Sequence, residues 1–175
     1  MTQNENMKFE INDHVIYGGN GVCLVEDICT LDSVADDARL YYRLKPLYEK
    51  DSVVYAPVDN IKSTLRELLS RDEIISLLQD LPNLETIQFK SERTVDSEYK
   101  CVLQSYAGCE ILRVLKTAFT RIKIRKEKNK KTVVVDERYF QRAKNLLFGE
   151  MAVVFQTSKE QVCEIFAEQT EMHIA

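Results

Sequence analysis

Over the first sixty residues, apolar and polar positions alternate in short runs closed by turn residues, which is the spacing of strands. Phe9-Glu10-Ile11 leads into a turn at Asn12-Asp13, and a second run extends from His14 to Tyr17. Gly18-Gly19-Asn20-Gly21 supplies residues that adopt positive φ at little cost, so the chain is predicted to reverse there into Val22-Cys23-Leu24-Val25 as a hairpin. A polar loop from Asp32 to Asp37 precedes the run Arg39 to Leu44, and Glu49-Lys50-Asp51 makes the next turn. The last run, Ser52-Val53-Val54-Tyr55-Ala56, stops at Pro57, which has no N–H to continue a ladder. Four or five strands of this length predict a small barrel. Its tyrosines, at 17, 41, 42 and 55, are expected in the core or on the barrel surface rather than as a cage for a cation.

From Ile61 the apolar spacing becomes helical. Ser70-Arg71-Asp72-Glu73 is a capping box, followed by Ile74, Leu77, Leu78 and Leu81 on one face until Pro82. A connector over 83–93 leads to four more helical segments. One runs from Val95 to Gln104 and breaks near Gly108; the next begins at Cys109 with Leu112, Leu115, Phe119 and Ile122 inward. Asp136 is the expected N-cap of a third, Glu137 to about Phe155, with Gly149 inside it at a place that suggests a close helix neighbour. Ser158-Lys159-Glu160-Gln161 is a second capping box, opening the last helix. The predicted organisation is a β domain over 1–60, a connecting helical segment over 61–82 and a helical domain over 83–175.

The net charge of −4 over 175 residues hides a segregation along the chain. Residues 113–131 carry nine lysines and arginines against Glu127 alone, while the segments before and after are acidic. Such a stripe is the electrostatic footprint of phosphate binding, or else a solvated helix end whose cations complement the helix dipole. Five dispersed cysteines, never spaced Cys-x-x-Cys, predict reduced and mostly buried thiols, and with only His14 and His173 beside them no metal ligand set forms. No apolar run reaches the roughly 20 residues of a membrane span, and Met1 to Asn6 does not resemble a signal sequence, so a cytoplasmic setting is expected. The Gly18–Gly21 turn lacks the Gly-Lys-Ser/Thr ending of a phosphate loop, and no positioned acid–base pair or activated nucleophile stands out. A thiol enzyme built on Cys23 or Cys29 would need an activating neighbour that the sequence does not offer. The expectation is an adaptor, with no enzymatic activity, no cofactor and no small-molecule substrate.

Several short segments, in order, resemble the CarD/CdnL proteins, bacterial RNA-polymerase-binding transcription regulators. They are Phe9 to Tyr17 with Gly21-Val22, Tyr41-Tyr42-Arg43-Leu44-Lys45-Pro46-Leu47, Tyr55-Ala56-Pro57-Val58-Asp59-Asn60, Glu98-Tyr99-Lys100, Asp136-Glu137-Arg138-Tyr139-Phe140 and Leu146 to Ala152. The N-terminal part also resembles the polymerase-interacting module of transcription-repair coupling factors. The resemblance implies an α+β chain: a small Tudor/SH3-like β-barrel followed by an all-helical bundle. It implies that the barrel binds the RNA polymerase β subunit by pairing an exposed strand edge, here Ser52 to Ala56, with contacts from Tyr42, Arg43, Val53, Val54 and Tyr55. Relatives often carry arginine at the place of Tyr55 and near Leu31, and this chain does not. The helical part is implied to meet promoter DNA near the upstream edge of the bubble and to modulate open-complex stability. Relatives wedge a tryptophan there; this chain has none, and Phe89 stands in the connector, either as a substitute wedge or as core. Lys90, Arg93, Lys100, Arg121, Lys123, Arg125 and Lys126 could supply phosphate contacts that do not read sequence. The alternative is a protein-only adaptor whose basic stripe meets an acidic surface of polymerase or another partner.

Overall fold

A computed structural model describes residues 7–31, 39–59 and 65–170. The loop expected over 32–37, the N-terminal residues 1–6, the start of helical spacing at 61 and His173 lie outside the described residues. The chain divides into two compact units between Leu68 and Leu69.

The first unit is one antiparallel sheet of β1 (His14–Tyr17), β2 (Val22–Thr30), β3 (Leu40–Pro46), β4 (Val54–Pro57) and β5 (Leu65–Glu67), ordered β4-β3-β2-β1-β5. The predicted β1–β2 hairpin forms, with Ile16 opposite Val22. Its reversal depends on Gly21, whose φ of 69° and ψ of −139° are reached without strain only by glycine. The register slips between Val25 and Asp27, a bulge that sets Glu26 beside the cations of β3. The core is Phe9, Val15, Cys23, Val25, Tyr42, Leu44 and Ala56. β5 departs from the sequence expectation, which placed 61–82 in a helical connector. Leu65–Glu67 pairs with β1, and Leu65 packs against the sheet core, so tertiary burial overrides a weak local signal.

The second unit contains α1 (Arg71–Gln79), α2 (Val95–Leu103), α3 (Gly108–Glu127), α4 (Val134–Val154) and α5 (Lys159–Thr170). α1 is part of this bundle rather than a connector, because Ile74 and Leu78 share one buried cluster with Leu112, Leu115, Leu147, Met151 and Phe166. Both predicted capping boxes form: the Glu73 N–H donates to Ser70 Oγ at 3.2 Å and the Gln161 N–H to Ser158 Oγ at 3.2 Å. α3 opens on Gly108, where a Cβ would stand 2.6 Å from Leu69 Cδ1, so a larger residue there would require the Leu69 side chain to shift. Gly149 is buried within α4.

Two local expectations are corrected. Asp136 is not the N-cap of α4: Val133 occupies that position without a side-chain cap, and Asp136 lies in the first turn, fully buried. The cysteines are all free, but only Cys23 is buried; Cys29 and Cys163 are half-buried and Cys101 and Cys109 are exposed. The helices carrying the last three have wide polar faces, and single cysteines on them need no burial.

Candidate functional site

The sheet ends in two strands that each have one neighbour among the described residues, β5 beside β1 and, at the other end, β4 beside β3. The Val58 N–H donates to the Leu40 carbonyl at 2.9 Å. Antiparallel alternation then turns the backbone polar groups of Val54 and Ala56 toward β3 and those of Tyr55 outward. Side chains alternate too: Ala56 is buried, whereas Val53 and Tyr55 are 42% and 41% exposed. Pro57 contributes an outward carbonyl but no N–H, which limits the free edge to a few residues. An edge of this kind offers main-chain hydrogen bonds to an extended segment and apolar side chains to select it.

The five residues expected to contact polymerase are thus divided. Val53 and Tyr55 face outward, and Val54 turns half-buried toward the core side. Tyr42 is corrected outright: it is 1% exposed, set edge-on to Phe9 at 5.9 Å, and its hydroxyl accepts the N–H groups of Lys8 and Phe9 at 3.1 and 3.3 Å. It anchors the N-terminal segment and has no surface to offer a partner. Arg43, opposite Tyr55 in register, pairs with Glu26 at 3.8 Å, and its Nε is buried without a hydrogen-bond partner among the described residues.

In the helical unit, a cleft of about 500 Å³ opens between the connector and α3, lined by Thr86, Gln88, Phe89, Glu92, Arg121 and Ile124 among others. A second cleft of about 270 Å³ shares Glu92, Arg121 and Ile124 with it and adds Arg125, Lys128 and Lys130. The basic stripe is therefore sorted by helix geometry. Positions 121, 124 and 125 fall on one face of α3 by their three- and four-residue spacing and Lys128 follows at its C-cap, while Lys123 and Lys126 project from another face and are exposed. Of the residues expected to face DNA, the clefts gather Phe89, Arg121 and Arg125. Lys90 and Arg93 are exposed in the connector and Lys100 on α2, none of them lining either cleft.

Several stripe cations have internal work. Lys116 donates to the carbonyls of Leu81, Pro82 and Leu84 at 2.7, 3.1 and 2.6 Å, and Arg113 Nε to that of Glu85 at 3.2 Å, so both tie the connector to α3. Arg121 is held most firmly. Its Nε donates to Asp136 Oδ1 at 2.9 Å and its Nη2 to Glu92 Oε2 at 2.9 Å, while the guanidinium covers the Phe89 ring at 4.9 Å. These two acids stabilise the cation and keep the Arg121 pKa above its ordinary value although burial works against it. Phe89 in turn packs edge-on to Tyr99 at 5.0 Å. Clamped this way, its ring is half-buried core of the helical unit rather than a projecting wedge. The Tyr99 hydroxyl donates to the same Asp136 oxygen at 3.0 Å, and burial first, then Asp136, pushes the Tyr99 pKa well up.

Asp136, Glu92, Lys128 and Lys130 were not among the expected site residues. Lys128 and Lys130 were visible as part of the charge stripe, but Glu92 had no signal at all, because it joins the site only through the fold of the connector.

Among the described residues no helix is long and apolar enough to cross a membrane, and no group of three or more His, Cys, Asp and Glu is placed to hold a metal ion. An antiparallel sheet that ends in β4 on one side and β5 on the other gives the N-terminal unit strand edges of the kind that interaction domains use. Residues 9–69 match the family model of the CarD-like/TRCF RID domain, and the N-terminal unit belongs to that family. This makes the chain an RNA-polymerase-interacting, transcription-related protein. The match ends at the first residue of the helical unit, so it covers the whole described sheet, β5 included. No curated protein matches the chain.

Proposed function

We propose that this chain is a non-enzymatic transcription regulator that binds the RNA polymerase β subunit through the β4 edge and meets promoter DNA with the α3 end of its helical unit. The observation that carries the reading is the open β4 edge, with the backbone groups of Tyr55 turned outward inside a domain of the polymerase-interacting family. Strand addition there would supply hydrogen bonds, and the exposed Tyr55 ring would replace the arginine of relatives as the selecting side chain. The DNA arm is supported by the cleft face of Arg121, Arg125, Lys128 and Lys130. Phosphate contacts of this kind position a protein without reading sequence, and they shift the closed-to-open equilibrium only by favouring one state over the other. The cytoplasm is the setting in which both partners are met.

A protein-only adaptor is favoured by one specific observation: Arg113, Lys116 and Arg121 are engaged within the protein, which thins the stripe. Both readings are tested by capturing purified polymerase β subunit with the full chain, with and without fork-junction promoter DNA, at low and high salt. Salt-sensitive retention of DNA beside β-subunit binding supports the two-handed regulator. Binding of the β subunit with no DNA retention leaves the adaptor, and absence of β-subunit binding overturns both.

A further inference from the structure

Among the described residues Glu92 is the one acidic residue lining either cleft, and it is shared by both. Its Oε2 lies 2.9 Å from Arg121 Nη2 and 3.8 Å from Arg125 Nη2, so one carboxylate bridges two guanidinium groups. Lys128 and Lys130 complete the wall of the smaller cleft and form no ion pair among the described residues. An anion held between two arginines and flanked by lysines is the arrangement that recognises phosphate. Resting on the DNA-facing reading above, we infer that Glu92 is a built-in competitor for nucleic-acid backbone phosphate, occupying in the free protein the seat between Arg121 and Arg125 that a phosphate takes on binding.

Three features make the exchange feasible. Glu92 is exposed, at 64% of its side chain, and sits in the turn before α2, so its carboxylate can swing into water without breaking the core. Exposed ion pairs of this type are weak, and a phosphate making charge-assisted bonds to the same donors can displace them. Arg121 does not leave with it, because its Nε remains bonded to the buried Asp136, and the Nη2 donor stays aimed into the cleft. The consequence is a threshold. Free in solution, the protein binds DNA weakly; held beside a promoter by polymerase, the raised local concentration of phosphate displaces Glu92.

The test is fluorescence anisotropy of a labelled fork-junction DNA with the full chain, comparing wild type, Glu92→Gln, and Glu85→Gln as an equal charge change in the same connector outside both clefts. Glu92→Gln is expected to tighten binding roughly fivefold and to steepen the salt dependence, since the arginines then meet phosphate directly. Adding Arg125→Gln to Glu92→Gln is expected to return affinity toward wild type. DNA binding by Glu92→Gln where wild type shows none would also support the competitor. Equal tightening by Glu92→Gln and Glu85→Gln, or wild-type binding that Glu92→Gln leaves unchanged, would overturn the inference and leave the DNA-facing reading standing. Absence of DNA binding by every form would overturn that reading and the inference with it. Inorganic phosphate at millimolar concentration and matched ionic strength is expected to compete weakly; saturating competition would overturn the assignment to backbone phosphate in favour of a free anion.

Discussion

Arg121 Nε donates to Asp136 Oδ1 across 2.9 Å, joining the middle of α3 to the first turn of α4 through a carboxylate with no exposed surface. The second oxygen, Oδ2, has no hydrogen-bond partner among the described residues, so the acid depends on Arg121, on Tyr99 and on the positive end of the α4 dipole. Breaking such a pair from one side strands a buried charge. Arg121→Met is expected to lower unfolding free energy by about 3 to 5 kcal/mol, measured by urea denaturation. The double variant Arg121→Met/Asp136→Leu is expected to recover part of that loss, because the stranded charge is gone.

The β4 edge allows a separation of binding from folding. The Tyr55 N–H faces away from β3 and takes no part in the sheet ladder, so Tyr55→Pro removes an outward donor at a position where an edge strand tolerates proline. Loss of β-subunit capture by at least tenfold is expected, with the thermal unfolding midpoint changed by only a few degrees. Ala56→Pro, whose N–H faces β3, is expected to unfold the sheet unit instead.

Lys116 holds the connector by three carbonyls from near the middle of α3. Hydrogen bonds from a charged donor contribute about 1.5 to 3 kcal/mol each at most, and the three share one ammonium. Lys116→Met is expected to cost about 2 kcal/mol and to open the segment around Pro82 to protease. Mass analysis of limited-proteolysis fragments would locate the new cut between 81 and 90 if the connector is what Lys116 secures.

Cys23 gives the pH dependence. Burial, with a smaller contribution from Glu49, pushes its thiol up from 9.0 to about 12. The folded protein therefore keeps the proton where the unfolded chain releases it. Stability from this group is complete below pH 9 and is expected to fall as pH rises from 9 toward 12. At pH 8 a chromogenic thiol reagent is expected to modify the exposed Cys101 and Cys109 quickly and Cys23 only after unfolding. Fast modification of Cys23 in the native protein would contradict its burial.

Loss of the Ser70 hydroxyl, which accepts the Glu73 N–H at 3.2 Å, is expected to cost about 1 kcal/mol in Ser70→Ala. Urea denaturation with fluorescence and circular dichroism together would show whether α1 unfolds with the rest of the bundle, as its shared core requires.

What could be read along the chain was local. The Gly18–Gly21 reversal, two capping boxes and the apolar face of α3 each depend on residues within one or two turns of each other and formed where the pattern placed them. Strand alternation was right for β1 to β3 but set the last strand at 52–56 where β4 is Val54–Pro57, and Phe9–Ile11 forms no strand. The polymerase-interacting family was legible for the same reason, in short ordered segments of the sheet. The outcome differed where distant segments compete. β5 is a strand because β1 offers it a partner and a core, and α1 joins the bundle because Ile74 and Leu78 find a buried cluster there. Which tyrosine is core, Tyr42, and which is surface, Tyr55, follows from register, a relation between strands that alternation within one strand leaves open. The basic stripe was counted correctly as charge, but its division into internal ties and cleft-facing cations came from the connector folding back on α3. That packing brought Glu92 to Arg121 across 29 positions of sequence, and electrostatic partners so far apart carry no common mark along the chain.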